Sequence, residues 1–359
     1  MLGTETLADL GGWPSVLRTL VAGDDLTASQ AAAALAEVLE GAATPAQTAA
    51  FIIGLRCKGE TVEEMTGLVE AMISAAVQVR LPEGLEPVDT CGTGGAPTRR
   101  AHALNVSTMA ALVIAGAGVP VCKHGGRAAT ATSSSADLLE ALGVAIELGA
   151  GGVARCVSDV GMGFCFAPRF HAAMRHAGPV RRELGVPTVF NFLGPLANPA
   201  GVRRQVVGVS DPRMAATMVG VLRGKGAERA MVVSGHDGLD ELTTTTTSSV
   251  LELRDGEVRS YTVDPLDLGL ARAEPRDLAG GDPAANAAIL GDLLGGASGP
   301  HRDIVVLNAA AGLLVGGLVD DLVGGVEAAS AALHDGRAAA VLSQLVATSQ
   351  AAATWAGKG

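Results

Sequence analysis

The strongest constraint on the fold is a change of rhythm near Leu81-Pro82. Before it, apolar residues recur at helical spacing through four successive segments, with no strand-like run between them. Thr27 is placed to cap LTASQAAAALAEVLEG, which Gly41 ends. Thr44 with Pro45 opens a third helix that buries Phe51, Ile52 and Leu55. Thr61 with Glu64 makes a capping box ahead of a fourth helix over 63–75. After Pro82 the pattern becomes short apolar runs, glycine-rich turns and amphipathic helices in alternation. That is the signature of an α/β fold with a mainly parallel sheet.

At 359 residues the chain exceeds what one hydrophobic core usually holds. The reading is therefore a small α-helical domain and a larger α/β domain. Residues 178–199 read as a helix followed by a proline-broken connection and are expected to rejoin the helical part. Residues 1–81 with 178–199 then form the helical domain, and residues 82–177 and 200–359 the α/β domain. The threonine run at 243–247, extended by Ser248, Ser249 and Val250, reads as β-prone.

Hydrophobic residues make up 48% of the chain but aromatics only 3%, so Ala, Val and Leu must fill the core. A net charge of -11 disfavours nucleic-acid partners, because an acidic surface repels a phosphate backbone. The stretch MLGTETLADLGGWP lacks the basic-then-apolar layout of a secretory signal, and no apolar run is long enough to span a membrane. Cys57, Cys91, Cys122, Cys156 and Cys165 form no CxxC pair. They read as small core hydrophobes with reduced thiols in the cytoplasm.

Four short motifs carry chemistry. Gly92-Thr93-Gly94-Gly95 follows the predicted strand 88–90. Its backbone N–H groups could cradle a phosphate or simply make a tight turn. Asn105-Val106-Ser107-Thr108 opens the next helix, where hydroxyls serve as caps or face an anion. Lys123-His124-Gly125-Gly126-Arg127 follows the predicted strand 119–122. With the hydroxyls of Thr130, Thr132, Ser133, Ser134 and Ser135, it precedes a helix that Asp137 starts. So many donors, with no carboxylate before Asp137, favour anion binding. Asp240-Glu241, inside GHDGLDELT, is surface charge or a magnesium site, since Mg²⁺ takes one or two carboxylates together with substrate phosphates.

In this order, the four motifs resemble those of the anthranilate phosphoribosyltransferase family. The likeness extends through AGDDLT, ATPAQTAAFIIGLRCKGETVEEM, SADLLEALGV and GFCFAPRFHAAMRHAGPVRRELGVPTVFNFLGPLANP, from about residue 17 to 313. It implies a fold like the pyrimidine nucleoside phosphorylases, a cleft between two domains, and a homodimer built through the helical domains. It implies transfer of phosphoribosyl from phosphoribosyl pyrophosphate to anthranilate in tryptophan biosynthesis, with Mg²⁺ as cofactor and no nucleic-acid or membrane partner. Gly92, Gly94, Gly95, Asn105, Val106, Ser107, Thr108, Lys123, His124, Gly125, Arg127 and Ser135 then hold phosphoribosyl pyrophosphate. Gly92, His124, Gly126, Ala167, Pro168 and Arg181 face anthranilate. Ser107, Asp240 and Glu241 form the metal site, and Lys123 and Arg181 act most directly in catalysis.

Three departures from the family pattern stand out. Ala96 replaces an aspartate, and the longer stretch after it carries Arg99 and Arg100. Gly126 replaces an acceptor-contacting asparagine. Ser133-Ser134-Ser135 replaces Ser-Gly-Ser. The alternatives are the same chemistry on another aromatic amine and a pyrimidine nucleoside phosphorylase.

Overall fold

The structure is a computed structural model that describes residues 5–94, 104–127 and 132–356. Helices α1 (Gly12–Ala22), α2 (Ala28–Glu40), α3 (Pro45–Lys58) and α4 (Val62–Ser74) open the chain. Thr27, Thr44 and Thr61 each cap their helix through a reciprocal capping box, with Gln30, Gln47 and Glu64 at the third position. Gly41 terminates α2 at φ 76, a left-handed conformation that costs glycine little. Phe51, Ile52, Leu55 and Leu68 are fully buried between these helices.

The α/β part is one seven-stranded sheet in the order β3-β2-β1-β4-β5-β6-β7. Its parallel strands are β1 (Val88–Gly92), β2 (Val121–Gly125), β3 (Met162–Phe166), β4 (Arg204–Gly208) and β5 (Arg229–Gly235). The antiparallel hairpin β6 (Ser248–Arg254) and β7 (Glu257–Val263) completes it. Helices α5 (Val106–Gly116), α6 (Ser135–Ala141) and α7 (Ala150–Val160) connect the first three strands. After β3 come α8 (Ala167–Phe170), α9 (Gly178–Leu184) and α10 (Phe190–Leu196), and α11 (Ala215–Gly224) joins β4 to β5. The chain ends in α12 (Pro283–Leu294), α13 (Pro300–Gly316), α14 (Leu322–His334) and α15 (Arg337–Ala356). Val180, Phe190, Leu193 and Leu196 of α9 and α10 share one apolar core with α1–α4 and α11. No described helix is long and apolar enough to cross a membrane.

Several local expectations are corrected. Residues 190–196 are helical, and Pro195 is tolerated one residue from the helix end. Strand β2 runs through Gly125, so Lys123 and His124 are strand residues, placed opposite Phe164 and Cys165 of β3. Helix α6 starts at Ser135, with Ser134 as its cap and Asp137 at its third position. Residues 243–247 form a loop, and β6 begins only at Ser248. There the Thr243 and Thr245 hydroxyls both donate to Asp237 Oδ2 at 2.6 Å, and such local bonds compete with a strand ladder. Cys122, Cys156 and Cys165 are buried, Cys91 is half-buried and Cys57 is exposed, so one thiol in five is a surface group.

Candidate active site at the ends of the parallel strands

In open parallel sheets, ligands bind beyond the carboxyl ends of the strands, where the strand order reverses. Here the chain builds β1, β2 and β3 in one direction and then places β4 and β5 on the other side of β1. The crevice between β1 and β4 is that reversal. Gly92 and Gly208 pair across it as the last residues of their strands. A Cβ on Gly92 would strike the Asp240 carboxylate, and one on Gly208 would strike the Asp240 carbonyl. Both glycines thus admit the loop after β5, which seats Asp240 in the crevice. Gly92 was legible as a candidate; Gly208 was not, because it reads as one more residue of an apolar strand.

Asp240 and Glu241 are 6% and 9% exposed, so they are buried carboxylates and not solvated surface charge. Asp240 Oδ2 accepts from Gly94 N–H at 2.8 Å, with Gly94 at φ 65. Glu241 lines a small cavity with Thr90, Cys91, Ser107 and Asn308. The turn therefore has one N–H directed at a carboxylate. Gly95, Ala96, Arg99, Arg100 and Thr130 lie outside the described residues.

Asn105 precedes α5 but makes no side-chain cap. Its Oδ1 instead accepts from Ser133 Oγ at 2.6 Å, and its N–H donates to Asn286 Oδ1 at 2.9 Å. Val106 is fully buried and anchors the first turn. Thr108 Oγ1 donates to Ser135 Oγ at 2.9 Å, tying α5 to α6. Lys123 is 1% exposed; its Nζ donates to the Thr90 carbonyl and, at 3.1 Å, to Ser107 Oγ. The ammonium, the Ser107 hydroxyl and the Glu241 carboxylate thus line one end of the crevice.

Beneath Lys123, Asp89 holds the strand ends in register. Its Oδ1 accepts from His124 N–H at 3.1 Å, and its Oδ2 accepts from Asn198 Nδ2 at 2.8 Å. Asn198 also donates to the Cys122 carbonyl at 2.8 Å. Burial raises the Asp89 carboxyl above its ordinary range, against the opposing pull of the Lys123 charge and these hydrogen bonds. Neither Asp89 nor Asn198 was singled out from sequence. Both are separated from their partners by long stretches of chain.

On the other side, His124 Nδ1 donates to the Gly194 carbonyl at 3.1 Å. Its ring lies 5.0 Å from that of His171, a residue the motif reading passed over. Burial pulls both imidazoles down to about 4, so both are neutral at pH 7. His124 Nε2 finds no hydrogen-bond partner among the described residues, while the His171 ring lies against the backbone of Ala197 and Met72 without forming a well-aligned bond to either. A Cβ on Gly126 would lie 3.5 Å from Ala167 Cβ and 3.9 Å from Pro168 Cδ, so these three residues share one wall. A Cβ on Gly125 would press on Phe164 at 3.1 Å.

Arg181 stands on α9, with its guanidinium over the Phe190 ring at 5.1 Å. Burial lowers its pKa from the ordinary guanidinium value, and no carboxylate pairs with it among the described residues. Asp137, a conceivable partner, is engaged by Arg127 at 2.5 Å. Arg127 also pairs with Glu140 at 2.7 Å and lies over Phe166 at 5.6 Å, on the exposed flank of α6.

A profile described as glycosyl transferase family, helical bundle domain, matches residues 14–76, and one described as glycosyl transferase family, a/b domain, matches residues 85–339. An anthranilate phosphoribosyltransferase of Nocardioides is 53% identical over 340 residues, 93% of this chain and 98% of that protein. The crystal structure of the enzyme from Thermus thermophilus superposes with TM-score 0.87 at 40% identity, covering 93% of this chain and 99% of that one. The enzyme from Saccharomyces cerevisiae, solved in complex with phosphoribosyl pyrophosphate and Mg, gives TM-score 0.85 at 27% identity over 94% of this chain and 98% of that one.

Proposed function

The chain belongs to the anthranilate phosphoribosyltransferase family, and from that premise we propose how its residues move a phosphoribosyl group from phosphoribosyl pyrophosphate to anthranilate. The observation that carries the assignment of roles is the crevice between β1 and β4. There Asp240 is seated on Gly92 and Gly208, and Ser107 and Glu241 share one cavity.

Two buried carboxylates and a hydroxyl are oxygen donors, which fit the Mg²⁺ seen with phosphoribosyl pyrophosphate in the yeast relative. Asp240, Glu241 and Ser107 would hold it, and what it supplies is neutralisation of charge on the departing pyrophosphate. Lys123 adds a fixed positive charge to the same end of the crevice. Asn105, Thr108 and Ser135, with the backbone of Gly92, Gly94, Val106, His124 and Gly125, would line the donor path. Arg127 joins them at small cost, because its present ion pairs are on the surface.

Anthranilate enters against Gly126, Ala167 and Pro168, with the neutral His124 imidazole beside it and its carboxylate on Arg181. Its aromatic amine is unprotonated at pH 7, so the lone pair needs no strong base to free it. It attacks the ribose C1′, the C1′–oxygen bond to pyrophosphate breaks, and the amine gives up one proton. Inversion at C1′ through an oxocarbenium-like transition state follows from in-line displacement. Alignment of amine and C1′ across the cleft supplies the rest of the rate.

The grouping of 178–199 with 1–81 is supported by the core that α9 and α10 share with α1–α4, a core that α11 and strands β4 to β6 also enter. A homodimer through the helical domain is supported by an open apolar groove between α1 and α3. It has a volume of about 550 Å³ and is lined by Leu17, Leu20, Val21 and Ala50, with Val21 89% exposed. The reduced, unpaired cysteines are consistent with a cytoplasmic enzyme. Loss of anthranilate fluorescence on mixing with phosphoribosyl pyrophosphate and Mg²⁺ tests the activity directly. No loss with either reagent omitted, and full loss with both, is the expected result; loss without Mg²⁺ would refute the metal role.

A further inference from the structure

Helix α13 is buried continuously from Ile304 to Val315, and Asn308 is the polar residue in that run. An asparagine is a weak helix former, and a buried amide must find partners. Asn308, at 4% exposure, finds them in one residue of a distant loop. Its Oδ1 accepts from Leu242 N–H at 3.0 Å, and its Nδ2 donates to the Leu242 carbonyl at 2.8 Å. A third bond runs from Nδ2 to the Ile304 carbonyl at 2.9 Å, one turn back on α13. One side chain therefore satisfies both peptide groups of Leu242, as a neighbouring strand would.

Leu242 directly follows Asp240-Glu241, and it is fully buried. Residues 243–247 have no ladder, and side chains supplement the two backbone bonds this loop makes, from Ala273 N–H to the Thr244 carbonyl and from His236 N–H to the Thr247 carbonyl, both at 3.0 Å. Ser248 Oγ accepts from Thr243 N–H at 3.0 Å, and Asp237 accepts from the Thr243 and Thr245 hydroxyls. Asn308 pins the residue directly after Glu241, as Gly94 N–H holds the Asp240 carboxylate from the other side. It lines the same small cavity as Ser107 and Glu241.

We propose that Asn308 is a positioning residue, which sets the Asp240–Glu241 pair against Ser107 at the spacing magnesium and pyrophosphate require. This rests on the metal role assigned above. If Asn308 served packing alone, its loss would lower stability and leave metal affinity unchanged. If it positions the carboxylates, its loss raises the magnesium requirement.

The test uses the full chain with Asn308→Ala, which removes all three bonds, and Asn308→Asp, which keeps the one from Leu242 N–H. Glu241→Gln serves as reference. Mg²⁺ is titrated against the initial rate at fixed phosphoribosyl pyrophosphate and against the heat of phosphoribosyl pyrophosphate binding. Thermal midpoints are recorded alongside. Loss of a residue that orients a metal ligand typically weakens the metal by about 10- to 100-fold, and that rise in half-saturating Mg²⁺ is expected for Asn308→Ala in both readouts. Asn308→Asp falls between it and the unmodified chain, and kcat at saturating Mg²⁺ stays near the unmodified value. An unchanged Mg²⁺ requirement in folded Asn308 variants, with Glu241→Gln shifted, overturns the inference alone. An unshifted Glu241→Gln overturns the metal role and the inference with it. Failure of both Asn308 variants to fold assigns the residue to the fold and also overturns the inference.

Discussion

The two halves of the cleft are built on opposite principles. On the donor side, the polar groups bond to one another: Lys123 to Ser107, Asp240 to Gly94, Thr108 to Ser135 and Asn308 to Leu242. On the side proposed for the acceptor, two neutral imidazoles are buried with few polar partners, beside the apolar wall of Gly126, Ala167 and Pro168. Under the roles proposed above, the difference teaches how one site would handle two unlike substrates. A highly charged pyrophosphate needs dipoles and charges already fixed in place, since reorganising them during reaction would raise the barrier. A flat aromatic acid needs a slot and one cation for its carboxylate.

The largest effect should come from breaking the donor half. Asp240→Ala or Glu241→Ala should lower kcat/KM by about 10²–10³-fold, the usual cost of removing one electrostatic stabiliser of the transition state. Steady-state rates at limiting Mg²⁺ check this, and full activity of both variants would place the metal elsewhere.

Arg181→Ala tests the acceptor half. A hydrogen bond to a charged group contributes about 1.5–3 kcal/mol, so the anthranilate KM should rise roughly 10- to 150-fold. The KM for phosphoribosyl pyrophosphate should hardly move. A shift confined to phosphoribosyl pyrophosphate would mean the halves are assigned the wrong way round.

The buried imidazoles sharpen the comparison through pH. His124 and His171 titrate at about 4 in the fold, below the ordinary histidine value near 6.5. A depressed folded pKa means the unfolded chain binds more protons in between. Their stabilisation is therefore present above about pH 6.5 and lost as pH falls towards 4, by at most about 1.4 kcal/mol per pH unit for each group. Urea unfolding at pH 7, 6 and 5 should show this slope, and His171→Asn should flatten it. An unchanged slope would mean that His171 is not buried in neutral form.

The smallest effect is expected at Gly126. The neighbouring Ala167 Cβ at 3.5 Å leaves ordinary contact distance for a side chain. Gly126→Asn should lower the anthranilate KM by about 2- to 13-fold, the worth of one neutral hydrogen bond of about 0.5–1.5 kcal/mol. If anthranilate use is lost while phosphoribosyl pyrophosphate binding persists, the space itself is needed, and substituted anthranilates become the next acceptors to assay.

Much of this molecule is legible in the sequence because much of it is local. Thr27, Thr44 and Thr61 cap helices three residues before their partners, and hydrophobic period separates the α1–α4 bundle from the strands of the sheet. The motif residues Gly92, Ser107, Lys123 and Asp240 stand out in the sequence as candidates, but residue type alone left Gly92, Ser107 and Asp240 open between a turn, a cap or surface charge and a site, and the family resemblance supplied their expected roles. What the sequence does not contain is distance between segments far apart in the chain. That Gly208 is a glycine to admit Asp240, that Asp89 joins His124 to Asn198, and that Asn308 stands in for a strand beside Leu242 were decided when the sheet reversed between β1 and β4. The threonine run shows the same limit: its propensity favours a strand, but Asp237, brought back by the turn after β5, captured two of its hydroxyls and made it a loop. Local order follows from bonds between near neighbours, whereas the site needs groups from five strands and their connecting loops to meet, and only burial in a shared core brings them together.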